Sequence, residues 1–154
     1  MTCVCYPNLT GVSIGGRGLL IEGPPGAGKS ALALALLDRG AVLIGDDGLA
    51  LRAEKDQLRA LPPPATTRGM LEIRNVGIVH LECAPAPVCL LLTLTEKAPR
   101  FTDHADTRDI EGHIIPTLLF RPGDAVQAIR AEWALTKYGR RAEGSSGTTR
   151  TCTR

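Results

Sequence analysis

The sequence predicts an α/β fold, and three observations carry that prediction. An apolar run at residues 18–22 stops at a glycine. A glycine-rich stretch, GPPGAGKS, follows it and opens directly into SALALALLDRG, which is rich in alanine and leucine. A second apolar run, AVLIGDD, comes next. Strand, glycine turn, helix and strand in that order make one unit of an α/β core.

The elements follow in chain order. GLLIE at 18–22 is a short apolar run, which reads as a buried strand. The segment 30–40 is built from residues that lose little freedom in a helix, and Gly40 ends it. Residues 41–47 form a second strand, ending on Asp46 and Asp47. LALRAEKDQLRAL at 49–61 fits either a strand hairpin or a helix, and GLALRAE favours strand. LPPPATT is a rigid loop. Residues 69–81 read as strand, turn at Asn75-Val76-Gly77, and strand. APVCLLLTLT at 86–95 is a strongly apolar strand. Residues 96–113 are polar and broken by proline and glycine, which predicts a loop. Residues 123–139 predict a helix whose apolar contacts come from Val126, Ile129, Ala131, Trp133 and Leu135, with Gly139 ending it. Residues 139–154 are rich in glycine, serine and threonine and read as a disordered tail, which leaves 1–138 as a single domain.

Composition narrows the function. With 44% hydrophobic residues the chain can bury a real core. The net charge of +2 is scattered and aromatics are 3%, so there is neither a basic track nor a stacking platform for nucleic acid. No apolar run reaches the roughly 18 residues that a membrane span needs. MTCVCYPNLT lacks the basic start and long apolar stretch of a secretory signal. The cysteines, Cys3, Cys5, Cys83, Cys89 and Cys152, are odd in number and show no C-x-x-C spacing. They read as reduced thiols of a cytoplasmic protein.

Gly23, Gly28, Lys29 and Ser30 complete the pattern G-x-x-x-x-G-K-[ST] between a strand and a helix. The whole loop, Gly23, Pro24, Pro25, Gly26, Ala27, Gly28, Lys29 and Ser30, is therefore the candidate nucleotide cradle. Its glycines let the backbone turn several N–H groups onto anionic oxygens, and the helix adds its positive end. Lys29 supplies charge to the outer phosphates, and the Ser30 hydroxyl is a ligand for Mg²⁺. Asp46 and Asp47 follow at the end of the next strand, expected beside the strand that feeds the loop, at the sheet edge where α/β proteins bind ligands. One carboxylate can face a metal and the other an incoming nucleophile. The same Asp-Asp-Gly is also good turn chemistry, with one aspartate capping and the other solvated. His104 lies among Asp103, Asp106 and Asp109, but the spacing matches no common ligand pattern and reads as a solvated acidic loop.

Taken together, IGGRGLLIEGPPGAGKSALALALLDRGAVLIGDD and RGMLEIRNVGI resemble the catalytic domain of the HPr kinase/phosphorylase family, over residues 8–135. The resemblance is to the short bacterial form without the N-terminal domain. It implies a compact P-loop α/β core of the type shared with phosphoenolpyruvate carboxykinases. It implies ATP- and Mg²⁺-dependent phosphorylation of a serine on the phosphocarrier protein HPr, with a reverse phosphorylase reaction in many members. A role in regulating carbon metabolism and a homo-hexamer are implied as well.

Carried over by position, Gly28, Lys29 and Ser30 hold phosphates and metal. Asp46 matches the catalytic carboxylate, a base in the kinase direction, and Asp47 its companion at the metal. Glu72 matches the signature glutamate on the metal or its water shell. Arg74 beside it steadies phosphate charge, unless the two form an exposed strand ion pair. Two departures accompany the likeness. Asn8 stands where the family carries a histidine, and IIPTLLFRPGDAVQ does not match the arginine-bearing segment of longer members, although Arg121 is near. Both bear on the phosphorylase direction more than on the kinase direction. Two other readings remain. A small-molecule P-loop kinase would need an arginine-rich lid, whereas Arg100, Arg108 and Arg121 are spread out; a nucleotide-binding regulator without catalysis would account for Asn8.

Overall fold

The computed structural model describes residues 2–141. The chain opens with β1 (Cys3–Tyr6) and β2 (Thr10–Ile14). β2 turns back into β3 (Arg17–Glu22) through Gly15 and Gly16. Their φ values of 58° and 81° are the left-handed pair that a two-residue hairpin turn requires. The glycine-rich loop then leads into α1 (Lys29–Asp38), followed by β4 (Val42–Gly45).

The stretch that fitted strand or helix is a hairpin, β5 (Leu49–Ala53) and β6 (Leu58–Leu61). β7 (Met70–Ile73) and β8 (Gly77–His80) form the expected second hairpin, as a small sheet of their own, turning at Asn75 with φ 67°. β9 (Ala86–Leu94), β10 (Asp106–Ile110), β11 (His113–Phe120) and α2 (Gln127–Tyr138) complete the described residues.

The main sheet has the order β1-β5-β6-β9-β3-β2-β4, with β11 beside the end of β9 and β10 on β11. Among the strands of the described residues, only β3–β9 and β9–β11 pair in parallel. Side chains alternate across β3, so Leu19 and Ile21 join the core under the helices, and Leu20 joins a second core on the other face. The first core packs Leu32 and Leu36 of α1 and Ala131 and Leu135 of α2 against Leu90 and Leu92 of β9. The second fills the curl of the sheet between Leu20, Leu91 and the β5–β6 hairpin residues Leu51 and Leu58. Burying one such leucine from water contributes about 1.5–3 kcal/mol.

Several expectations are corrected. The segment 96–113 is not all loop, since it holds β10. That strand is polar and almost wholly exposed, so it carries no alternation to read. On α2 the inward residues are Ala128, Ala131 and Leu135, three and four apart, which is one helix face. Val126, Ile129 and Trp133 lie on the outside, 47%, 39% and 55% exposed. β4 is not the neighbour of β3, because β2 runs between them. β2 is antiparallel to both, so β3 and β4 still point the same way and end at the same sheet edge. Of the expected tail, Arg140 is tied in: its N–H donates to the Cys89 carbonyl at 2.7 Å and its carbonyl accepts from Arg17 Nη2 at 2.7 Å. Residues 142–154 lie outside the described residues.

Candidate active site

The glycine-rich loop owes its shape to Gly26 and Gly28, at φ 81° and 103°. Gly28 is also the N-cap of α1 and offers no side chain to its first N–H groups. The first turn carries no acidic residue. The free N–H groups and positive end of the helix are thus open to an anion. Lys29 is buried, 8% exposed, and its Nζ donates to the Gly23 carbonyl at 2.7 Å across the loop.

The Ser30 hydroxyl donates to Asp46, 2.8 Å from Oδ1 and 3.0 Å from Oδ2. A third residue joins them. Thr10 Oγ1 lies 3.2 Å from Asp46 Oδ1, to which it donates, and accepts the Asp47 N–H at 3.3 Å. Asp46 is half-buried, and that burial pushes its carboxyl above the ordinary aspartate range. The bonds from Ser30 and Thr10 pull it back, while the Asp47 charge raises it and the Lys29 charge lowers it. Asp46 therefore commits its carboxylate to side chains and does not cap its own turn. Asp47 is exposed, at φ 51°, in the left-handed region.

Structure brings Lys29, Ser30, Asp46 and Asp47 to one place. It does not link Glu72 or Arg74 to them: both are exposed on and after β7, with no hydrogen bond or ion pair to that group or to each other among the described residues. Among the described residues no three His, Cys, Asp or Glu side chains converge on a cation site. Mg²⁺ keeps several waters and takes one or two protein oxygens plus substrate phosphates. Ser30 fits as a ligand because Asp46 accepts its proton and leaves the oxygen lone pairs free.

Beside the loop opens a cavity of about 430 Å³, walled by Tyr6, Asn8, Glu22, Gly23, Pro24 and Thr93. Glu22 accepts from Thr93 Oγ1 at 2.7 Å and from Arg108 Nη1 at 2.8 Å. Arg121 is exposed and pairs with Glu96 at 3.1 Å. Pro122 stands over the loop, 3.8 Å from where a Cβ on Gly28 would lie. His104 is exposed and bonded to Asp103 at 2.7 Å.

Sequence reading missed Thr10, Glu22, Thr93 and Arg108. Thr10 was findable, because Gly15-Gly16 between apolar runs signals a hairpin and so a strand before it. Nothing local could have paired Glu22 with Arg108, 86 residues away.

A sequence model of the HPr Serine kinase C-terminal domain matches residues 8–84, half of the chain. The chain belongs to this HPr serine kinase C-terminal domain family. The matched span opens on Asn8 and includes the loop, Asp46, Asp47, Glu72 and Arg74. The HPr kinase/phosphorylase of Limosilactobacillus reuteri is 35% identical over 118 residues, 68% of this chain and 37% of that protein. The HPr kinase/phosphorylase of an Exiguobacterium species is 46% identical over 70 residues, 46% of this chain and 22% of that protein. The chain thus spans 22–37% of the length of these two curated relatives. The solved structure of the Hpr(Ser) kinase/phosphatase from Coxiella burnetii is similar with a TM-score of 0.72 and 29% identity, over 84% of this chain and 87% of that one. The HPr kinase family core is thus the compact P-loop α/β core expected from the sequence.

Proposed function

We propose that this chain transfers the γ-phosphoryl group of ATP, with Mg²⁺, to a serine hydroxyl of the phosphocarrier protein HPr in the cytoplasm, as part of the regulation of carbon metabolism. The observation that carries this reading is the Ser30–Asp46 hydrogen bond beside the buried Lys29, at the end of a loop whose first residues, Gly23 and Pro24, wall a cavity. The relatives' names supply the acceptor.

The loop residues Gly23 to Ser30 cradle the phosphates, and Lys29 turns from the Gly23 carbonyl to the outer phosphate oxygens. Bound Mg²⁺ offsets phosphate charge, held through Ser30 and, by family position, Asp47 and Glu72. Arg74 is assigned to phosphate charge by position alone. The acceptor serine is placed beside Asp46. Its oxygen forms the new bond to phosphorus as the bond to ADP breaks, and its proton passes to Asp46. Oδ2 is the receiving atom, because it has only the longer 3.0 Å contact from Ser30, whereas Oδ1 accepts from both Ser30 and Thr10. Burial helps here, since a carboxylate held above its usual range is a better base.

Small-molecule kinase chemistry is less well supported, because Arg108 and Arg121 are occupied by Glu22 and Glu96. Asn8, on the cavity wall, favours the reading as a nucleotide-binding regulator without catalysis. Incubation with labelled ATP, Mg²⁺ and purified HPr separates them. Label on an HPr serine is the expected result. Nucleotide binding without any transfer would favour the regulator.

A further inference from the structure

We propose that Thr10 is a positioning residue that holds the Asp46 carboxylate and the Asp47 backbone through one hydroxyl. This inference rests on the kinase reading above.

Thr10 starts β2, and it is fully buried at 0% exposure. A valine would fill that space in a core strand at least as well, so the hydroxyl needs its own account. Its two bonds provide one. Oγ1 donates its single proton to Asp46 Oδ1 and takes the Asp47 N–H into a lone pair, at 3.2 and 3.3 Å. The first bond fixes the rotation of the Asp46 carboxylate, so that Oδ1 carries two hydrogen bonds and Oδ2 only the 3.0 Å contact from Ser30. The second fixes the backbone of Asp47, which sits at φ 51° where a non-glycine residue rests only if its surroundings hold it.

The neighbouring backbone strengthens the argument. The Gly48 N–H donates to the Leu9 carbonyl at 2.9 Å, so the start of β2 grips the turn at two successive residues. Register explains why Thr10 is the residue in place. β2 pairs antiparallel with β4, and Gly11 lies opposite Gly45. Thr10 precedes Gly11 and Asp46 follows Gly45, and the two side chains meet in the Thr10–Asp46 hydrogen bond. A Cβ at Gly45 would stand 2.3 Å from the Gly48 carbonyl oxygen, so the turn is closed tightly on itself. Thr10 thus touches neither substrate nor metal and acts through Asp46 and Asp47. Loss of an outer partner of this kind costs about 10- to 100-fold in activity.

The test compares wild type with Thr10→Val, Thr10→Ala and Thr10→Ser at saturating Mg²⁺. The expected result is a fall in kcat for transfer to HPr of about 10- to 100-fold in Thr10→Val and Thr10→Ala. KM for ATP should be unchanged, and Thr10→Ser should recover most of the rate. Loss of the hydroxyl should also speed hydrogen exchange of the Asp47 amide, read by NMR without any turnover, and serine should restore its protection. Thr10→Ala covers the case in which valine disturbs folding. Wild-type kcat in the hydroxyl-free variants, or equal loss in Thr10→Ser, would overturn the proposal. A wild type that transfers nothing to HPr would instead sink the kinase reading, while the Asp47 amide would still report on Thr10.

Discussion

The hydroxyl of Ser30 has one proton, and Asp46 takes it. That bond ties the residue expected on the metal to the residue expected to accept a proton, and it makes Asp46 sensitive to its surroundings. Burial raises its carboxyl first, and the bonds from Ser30 and Thr10 only partly offset this. The base form is lost as pH falls through the folded-state value, so transfer should fall with pH at a midpoint above the ordinary aspartate value of about 3.9. A pH series of HPr labelling at saturating Mg²⁺ checks the sign; a rate flat down to that value would contradict it. Lys29 offers a second check. Its buried ammonium has no partner in the loop other than the Gly23 carbonyl. Lys29→Ala should weaken nucleotide binding or slow transfer by about 10²- to 10³-fold, with an unchanged melting temperature. Equal affinity and turnover would remove the loop from the mechanism. Asn8 stands on the cavity wall where the resembled family carries histidine. The expected outcome is that Asn8→His changes the reverse reaction, phosphorolysis of serine-phosphorylated HPr, more than the forward one. A larger forward change would contradict that.

At the scale of elements, α2 shows how periodicity can name a helix and misname its face. Val126, Ile129 and Trp133 share one stripe at helical spacing, and the stripe faces outward. The sheet accepts instead the small residues Ala128 and Ala131, which let the helix approach closely, together with Leu135. Leu135→Ala should cost about 2–5 kcal/mol, whereas Trp133→Ala, with its ring half in solvent, should cost less than about 1 kcal/mol. Chemical denaturation of both variants decides it, and the reverse order would overturn this packing. The glycine loop, α1 and β4 were legible because their signals are local: a complete motif, an alanine-rich run and an apolar strand. β10 was not, because its Asp106-Thr107-Arg108-Asp109 run is exposed and its strand character comes only from pairing with β11. Thr10 lies before the first strand read from the sequence, and its place shows only once β2 is set against β4.

Across the whole molecule, the site exists because of strand direction. The loop follows β3 and the Asp46–Asp47 turn follows β4, and the two strands are separated by β2. Since β2 opposes both, the two ends meet at one edge, and the strand between them contributes Thr10. Sequence supplied the residues of this edge but placed β4 against β3, because successive strands usually neighbour each other. Glu72 and Arg74 remain the least connected of the expected residues, on a hairpin outside the main sheet. On the proposed reading this edge passes phosphate to HPr with Asp46 as proton acceptor. Single-turnover transfer from ATP to HPr at saturating Mg²⁺, with nucleotide binding measured alongside, tests it for Asp46→Asn and Asp47→Asn. General-base assistance is worth roughly 10²- to 10⁴-fold, so Asp46→Asn should slow transfer by about that much and still bind nucleotide, while Asp47→Asn should mainly raise the Mg²⁺ needed. Normal transfer by Asp46→Asn, or the catalytic loss appearing only in Asp47→Asn, would contradict the account.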